Sequence, residues 1–215
     1  MQVHPDDAYA QKTEGEPYGK KECWLILRCE PQTKIIIGTK CQSRGDLENC
    51  INNNQWDKVL NEIPIHPGDF FQIDPGTIHA IKGGTKILET QQTSDLTYRL
   101  YDYGRLENGK PRELHIAKAL DVINFGASTM QAANYNGSQE VSTKLISCDK
   151  YTVNLINING QEEFEQKFAF LNATVIEGEG EIDKRKITAG DNFIIPYNYG
   201  NFTISGKLKL VTSHI

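Results

Sequence analysis

Apolar residues fall into short runs separated by turn-forming residues. Residues 23–29 (CWLILRC) are almost continuously apolar, and residues 34–38 (KIIIG) form a second such run. Runs this short, bounded by polar and turn residues, predict strands. Ser43 is placed to cap a helix through Leu47, Cys50 and Ile51, which the polar Asn52-Asn53-Asn54 ends, and residues 56–60 suit a second short helix. Residues 62–69 are broken by two prolines and a Gly-Asp turn. Short strands are then expected at 70–73 and 77–81 around a turn at Asp74-Pro75-Gly76, followed by strands at 86–92 and 97–103. The pattern predicts an all-β fold with a few helices, built as a small barrel.

Residues 104–125 interrupt the strands, and residues 113–123 (ELHIAKALDVI) carry the apolar spacing of an amphipathic helix. Residues 124–140 are small and polar and read as a linker or long loop. Strand patterning resumes at Thr143. Gly68-Asp69-Phe70-Phe71-Gln72-Ile73-Asp74-Pro75 and Gly190-Asp191-Asn192-Phe193-Ile194-Ile195-Pro196 share a Gly-Asp turn, an apolar strand and a proline. This internal repeat predicts two tandem copies of one barrel module. The expected organisation is a first barrel at 1–103, helix and linker at 104–140, and a second barrel at 141–215. In the second copy Tyr197, Asn198, Tyr199 and Gly200 stand where a ligand could follow the proline, and there is no histidine, so metal is expected only in the first.

Composition narrows the class. Hydrophobic content of 38% and charged content of 24% suit a globular chain, and 215 residues can bury a full core. A formal net charge of −5 without a long basic run argues against nucleic acid. No apolar stretch approaches the roughly 18 residues of a membrane span, and no signal peptide is visible. The five cysteines include no CxxC pair, which suits free thiols in a reducing cytoplasm. Cys23, beside Glu22, would face the other side of its strand as a packed core thiol.

Four residues offer metal-binding chemistry. Gln2 and His4 lie two apart, so on a strand both point to one face. Glu22 begins the first apolar run, and His79 follows the tight Pro75-Gly76 turn. One amide oxygen, one carboxylate and two imidazoles form a ligand set for a divalent ion such as Zn²⁺, with a position left open. Three of them also have a plainer reading. Gln2 suits a polar terminus, Glu22 a salt bridge to a nearby lysine, and His79 a buried, hydrogen-bonded histidine. His66, His115 and His214 stand beside no other ligand-type pattern, and His66 is expected to be exposed.

The segments QVHPDDAYA, GKKECW, PGDFFQIDPGTIHAI, LETQQTSDLTYRLYDY and GKPRELHIAKALDVI occur in this order. Together they resemble the type I mannose-6-phosphate isomerases, zinc-dependent cupin enzymes. The resemblance spans essentially the whole chain and is densest over 2–123. It implies cupin-type barrels and one Zn²⁺ held by Gln2, His4, Glu22 and His79. It also implies aldose–ketose isomerisation of a small-molecule sugar phosphate in the cytoplasm, mannose 6-phosphate to fructose 6-phosphate through a cis-enediol. Arg99, Lys20 and Asp95 match active-site positions of the family, Arg99 as the group that stabilises the enediolate. A strand ion pair of Arg99 with Asp95 or Asp102, and a solvated Lys20, are the plainer readings. The general base is not identified. Family members carry a stretch ahead of the QVH segment, where this chain begins. The first barrel is therefore expected to be incomplete, with an open edge at its first strand that weakens metal binding and activity or pairs with a second subunit. A metal- or sugar-binding cupin that no longer catalyses is the alternative. A redox metallo-cupin ranks last, because the chain has no HxH pair.

Overall fold

In the computed structural model, which describes residues 1–125 and 132–215, the apolar runs become strands buried on both faces. The first of two compact units spans Met1–Asn134. Its strands are β1 (Gln2–Val3), β2 (Glu22–Cys29), β3 (Lys34–Thr39), β4 (Leu60–Pro64), β5 (Asp69–Ile73), β6 (His79–Ala80), β7 (Thr85–Gln91), β8 (Tyr98–Arg99), β9 (Leu106–Glu107), β10 (Lys110–Pro111) and β11 (Ala132–Asn134). Its helices are α1 (Asp7–Tyr9), continued by a π-helical turn at Ala10–Glu14, then α2 (Arg44–Asn52), α3 (Trp56–Val59) and α4 (Ile116–Val122). Two sheets, ordered β4-β3-β6-β1-β8 and β11-β5-β2-β7, carry the fold.

Alternation along β3 explains its unbroken Ile-Ile-Ile. Ile35 and Ile37 cluster with Trp24, Ile26, Phe71 and Ile73 of the other sheet. Ile36 points the other way, to Val3, Leu47 of α2, Val59 of α3 and Leu120 of α4. A sheet covered on both faces needs apolar side chains at every position, so the period-two signal disappears. Ser43 caps α2 as expected, accepting a hydrogen bond from Asp46 N at 3.2 Å.

Several expectations change. Of the two strands expected around Asp74-Pro75-Gly76, the second shrinks from 77–81 to His79–Ala80; β5 joins β2 and β11, and β6 joins β1 and β3. The strand expected over 97–103 is only two residues long, and Tyr103 takes a positive φ of 56°. The helix expected from 113 starts at Ile116, because His115 is bound to β8 instead. The linker expected at 124–140 falls partly outside the described residues, and within it β11 pairs with β5. The edge expected to lie open at the first strand is closed, since β1 has β6 on one side and β8 on the other.

The second unit spans Tyr135–Ile215 and consists of β12 (Ser142–Ser147), β13 (Thr152–Gln166), β14 (Phe170–Ile182), β15 (Arg185–Thr188), β16 (Asn192–Pro196) and β17 (Gly200–His214). The sequence repeat is a repeat of structure. His66 N donates to Asp69 Oδ2 at 2.6 Å, and Thr188 N donates to Asp191 Oδ2 at 2.7 Å. The intervening Gly68 and Gly190 both have positive φ, and their amides reach back to Ile26 O in one copy and Val175 O in the other. Only glycine enters this conformation freely, which is why Gly-Asp marks both copies.

β13, β14 and β17 cross at facing glycines: Gly206 is opposite both Gly160 and Gly180. A Cβ on Gly180 would lie 2.1 Å from Ser205 O. Gly180→Ala is therefore expected to cost about 1–3 kcal/mol through overpacking. Gly45→Ala, in α2 where a Cβ meets nothing within 4 Å, is expected to add about 0.4–1 kcal/mol. Urea unfolding measures both; shifts of the same sign would contradict this packing.

Candidate metal centre

The short strands of the first unit set four side chains on one face. Cross-strand partners share a face, and the register joins Ile37 to His79, His79 to Gln2, and Gln2 to Arg99. Ile37 belongs to the cluster between the two sheets, so this row faces the barrel interior. His4 follows two residues after Gln2. From the other sheet, Glu22 enters at the head of β2, two residues from Trp24, whose indole meets the His79 ring edge-on at 5.5 Å.

His4 and His79 are both 1% exposed and Glu22 is fully buried. His4 Nδ1 donates to Leu96 O at 2.6 Å, and His79 Nδ1 donates to Thr77 O at 2.9 Å. Each backbone carbonyl thereby fixes a tautomer whose Nε2 carries a lone pair. Those lone pairs face Glu22, with His4 Nε2 3.4 Å from Oε2 and His79 Nε2 3.3 Å from Oε1. Ligand atoms of the three side chains all lie within 4.8 Å of one another. The Gln2 amide nitrogen sits 3.4 Å and 3.2 Å from the two Nε2 atoms. A half-turn of the amide, which exchanges nitrogen and oxygen, would present Oε1 there.

The electrostatics fit a cation. Neither buried Glu22 oxygen receives a well-formed hydrogen bond, although Lys20 Nζ is 3.2 Å from Oε2. Burial would raise the Glu22 pKa, but His4, His79 and Lys20 together outweigh it and bring it down to about 2. Burial lowers the His79 pKa to about 4, so its imidazole is neutral and available as a donor near neutral pH. Two imidazole lone pairs and a carboxylate, buried together, suit a divalent ion with N and O ligands.

The loop that carries Lys20 is locked to the segment after His4. Lys20 N donates to Pro5 O at 3.0 Å, and a Cβ on Gly19 would lie 2.4 Å from that oxygen. Asp7 Oδ1 accepts from Gly19 N at 2.8 Å and from Gln92 Nε2 at 3.0 Å, while Gln92 Oε1 accepts from Lys21 N. Lys20 is buried, not solvated, and Glu22 has both the lysine partner and the two imidazoles. Arg99 forms no side-chain ion pair among the described residues; Asp102 is taken by Arg105 and Arg112. Asp95 is exposed, and no polar contact joins its carboxylate to the cluster among the described residues. The His66 side chain is 76% exposed, and His214 stacks on Phe168.

One residue of the site escaped the sequence reading. Glu89 lies opposite Trp24 in the β2–β7 pairing, accepts from Trp24 Nε1 at 3.1 Å, and is 3.7 Å from Lys20 Nζ. Its side chain is 31% exposed at the rim of the cluster. Its pKa is raised, first by burial and then by the Glu22 charge. The Leu88-Glu89-Thr90 alternation on its own reads as an outward carboxylate, and only the register places it beside Lys20.

The cupin-domain model of mannose-6-phosphate isomerase matches residues 141–215. Over 222 residues the chain is 38% identical to mannose-6-phosphate isomerase ManA of Bacillus subtilis, covering all of this chain and 70% of that one. It is 37% identical over 220 residues to mannose-6-phosphate isomerase of Streptococcus mutans, of which it covers 69%. The crystal structure of the mannose 6-phosphate isomerase from Bacillus subtilis superposes with a TM-score of 0.90 at 40% identity, over all of this chain and 70% of that one.

The geometry predicts a metal-dependent stability. Zn²⁺ at about 100 times its dissociation constant is expected to stabilise the fold by about 2.7 kcal/mol. Thermal unfolding with and without the ion measures this, and His79→Ala is expected to abolish the response. An undiminished response in His79→Ala would place the ion elsewhere.

Proposed function

The chain belongs to the mannose-6-phosphate isomerase family, and from that premise we propose that it interconverts mannose 6-phosphate and fructose 6-phosphate at the His4–Glu22–His79 cluster. The observation that carries this reading is the pair of buried imidazoles whose Nδ1 atoms are held by backbone carbonyls and whose Nε2 atoms converge on a buried carboxylate. His4, Glu22 and His79, with Gln2 as a weaker neutral donor, would hold one Zn²⁺. The ion, when bound, supplies a Lewis acid for the sugar's carbonyl and hydroxyl oxygens.

The remaining work falls to side chains of this chain. Isomerisation removes the C2 proton of the open-chain aldose, and the electron pair left behind forms the C1–C2 double bond of a cis-enediol as O1 gains a proton. Delivery of a proton to C1 and loss of one from O2 then opens the C2 carbonyl. Glu89 is the carboxylate assigned to carry the proton, since it is accessible, raised in pKa and not among the metal donors. The Arg99 guanidinium, on the residue directly opposite Gln2 in the β1–β8 pairing, stabilises the negative charge on the enediolate oxygens. Lys20 bridges Glu22 and Glu89 as a shared counter-charge that offsets their repulsion, and with Arg99 it gives a phosphate-bearing substrate two cations in a chain whose net charge is −5. Asp95, in the exposed turn before β8, has a rim position within the same reading.

A cytoplasmic setting belongs to this proposal. No disulfide is formed among the described residues, and no helix among them is long and apolar enough to cross a membrane.

The test follows fructose 6-phosphate released from mannose 6-phosphate by the Zn²⁺-reconstituted chain; failure to form it would refute the assignment. Arg99→Ala is expected to lower kcat by about 10²–10³ with folding and metal content retained. A near-normal kcat would make Arg99 a structural residue.

A further inference from the structure

We propose that His115 is the positioning residue of Arg99, an inference that rests on the catalytic reading of that arginine. Arg99 lies on a strand of two residues, and β8 is ladder-bonded on one side only, to β1. Among the described residues, its other edge is met by His115. His115 N donates to Arg99 O at 2.8 Å, and Arg99 N donates to His115 Nδ1 at 3.2 Å. Two residues that exchange both bonds in this way reproduce a hydrogen-bonded pair of an antiparallel ladder, with a ring nitrogen in place of one carbonyl.

The substitution matters because of what each end is attached to. His115 is the residue before α4, and its carbonyl accepts from Ala119 N at 2.9 Å, so it is rigidly tied to the helix. Ala119 and Leu120 of that helix are buried with Val3 and Tyr98, the neighbours of Gln2 and Arg99. The His115 ring also lies against the Tyr98 ring, with centroids 6.2 Å apart. Arg99 is thus held between β1, which carries Gln2, and a helix packed into the core. Its guanidinium has no ion pair of its own to fix it among the described residues. The backbone clamp is what sets the direction of the side chain. For Nδ1 to accept, the ring proton sits on Nε2, which faces solvent-exposed Glu113 at 4.0 Å.

The discriminating variants differ in where they place an acceptor. In His115→Asn the amide oxygen can take the place of Nδ1; in His115→Gln it extends toward the position of Nε2 instead. Arg99 amide hydrogen exchange in the metal-loaded chain reads the bond directly. Removing it with His115→Gln or His115→Ala is expected to speed exchange roughly tenfold, with Asn retaining protection. In the isomerase assay kcat is expected to fall roughly tenfold in Gln and Ala, with KM and metal content unchanged, and Asn is expected to restore it. In an Arg99→Ala background the His115 substitutions are expected to have no further effect on kcat. Unchanged exchange in both Gln and Ala, an equal loss in Asn and Gln, or a full kcat loss from His115→Gln on top of Arg99→Ala would each overturn the proposal. If Arg99→Ala alone leaves kcat normal, the catalytic reading of Arg99 fails and the positioning proposal falls with it. If Arg99→Ala is slow while His115→Gln is fast, only the positioning proposal fails.

Discussion

Two imidazole nitrogens and a carboxylate, all buried and all presenting lone pairs to one another, are the constraint on which this structure turns. His4 and His79 cannot relieve the crowding by rotating, because each Nδ1 is engaged by a main-chain carbonyl. The Lys20 ammonium, 3.2 Å from one Glu22 oxygen, favours the carboxylate form of Glu22 over the protonated one. Lys20 supplies one positive charge to one oxygen. A divalent ion satisfies the remaining lone pairs together, which an ammonium group at one corner does not.

The fold is arranged to hold that cluster. β1 and β6 are two residues each, too short to be stable as isolated strands, and they persist because they lie inside a five-stranded sheet covered on both faces. Their neighbours β3 and β8 extend the same row from Ile37 to Arg99, so apolar packing at one end and chemistry at the other share one register. Gly76 joins the parts: its amide donates to His4 O, its carbonyl accepts from Asn124 N, and its φ of +84° is one that few other residues tolerate. The second unit repeats the Gly-Asp turn of the first without the histidine that follows, so it has the scaffold and lacks the donors.

Much of this was legible in the chain. The apolar runs of β2 and β3, the Ser43 cap and the paired Gly-Asp turns are local signals, and local chemistry determines them. The convergence of His4, Glu22 and His79 followed from strand spacing together with family resemblance. What was not legible depends on tertiary register. A two-residue strand has no periodicity, so neither the flanking of β1 on both sides nor the shrinkage of the 97–103 strand could be read. Glu89 enters the site only through its pairing with Trp24, and the late start of α4 follows from the bonds between His115 and Arg99. The π-helical turn at Ala10–Glu14 is tied down by Tyr98 and Lys118 on Glu14, contacts of more than 80 residues' separation that no window of sequence contains.

The most direct measurement is anomalous diffraction from crystals of the chain grown with Zn²⁺, recorded on both sides of the zinc absorption edge. A single strong peak is expected in the first unit, bounded by His4 Nε2, His79 Nε2 and a Glu22 oxygen, with the Gln2 amide oxygen turned toward it. A cluster with no anomalous signal, closed instead by hydrogen bonds from Lys20 and ordered water at saturating zinc, would contradict it.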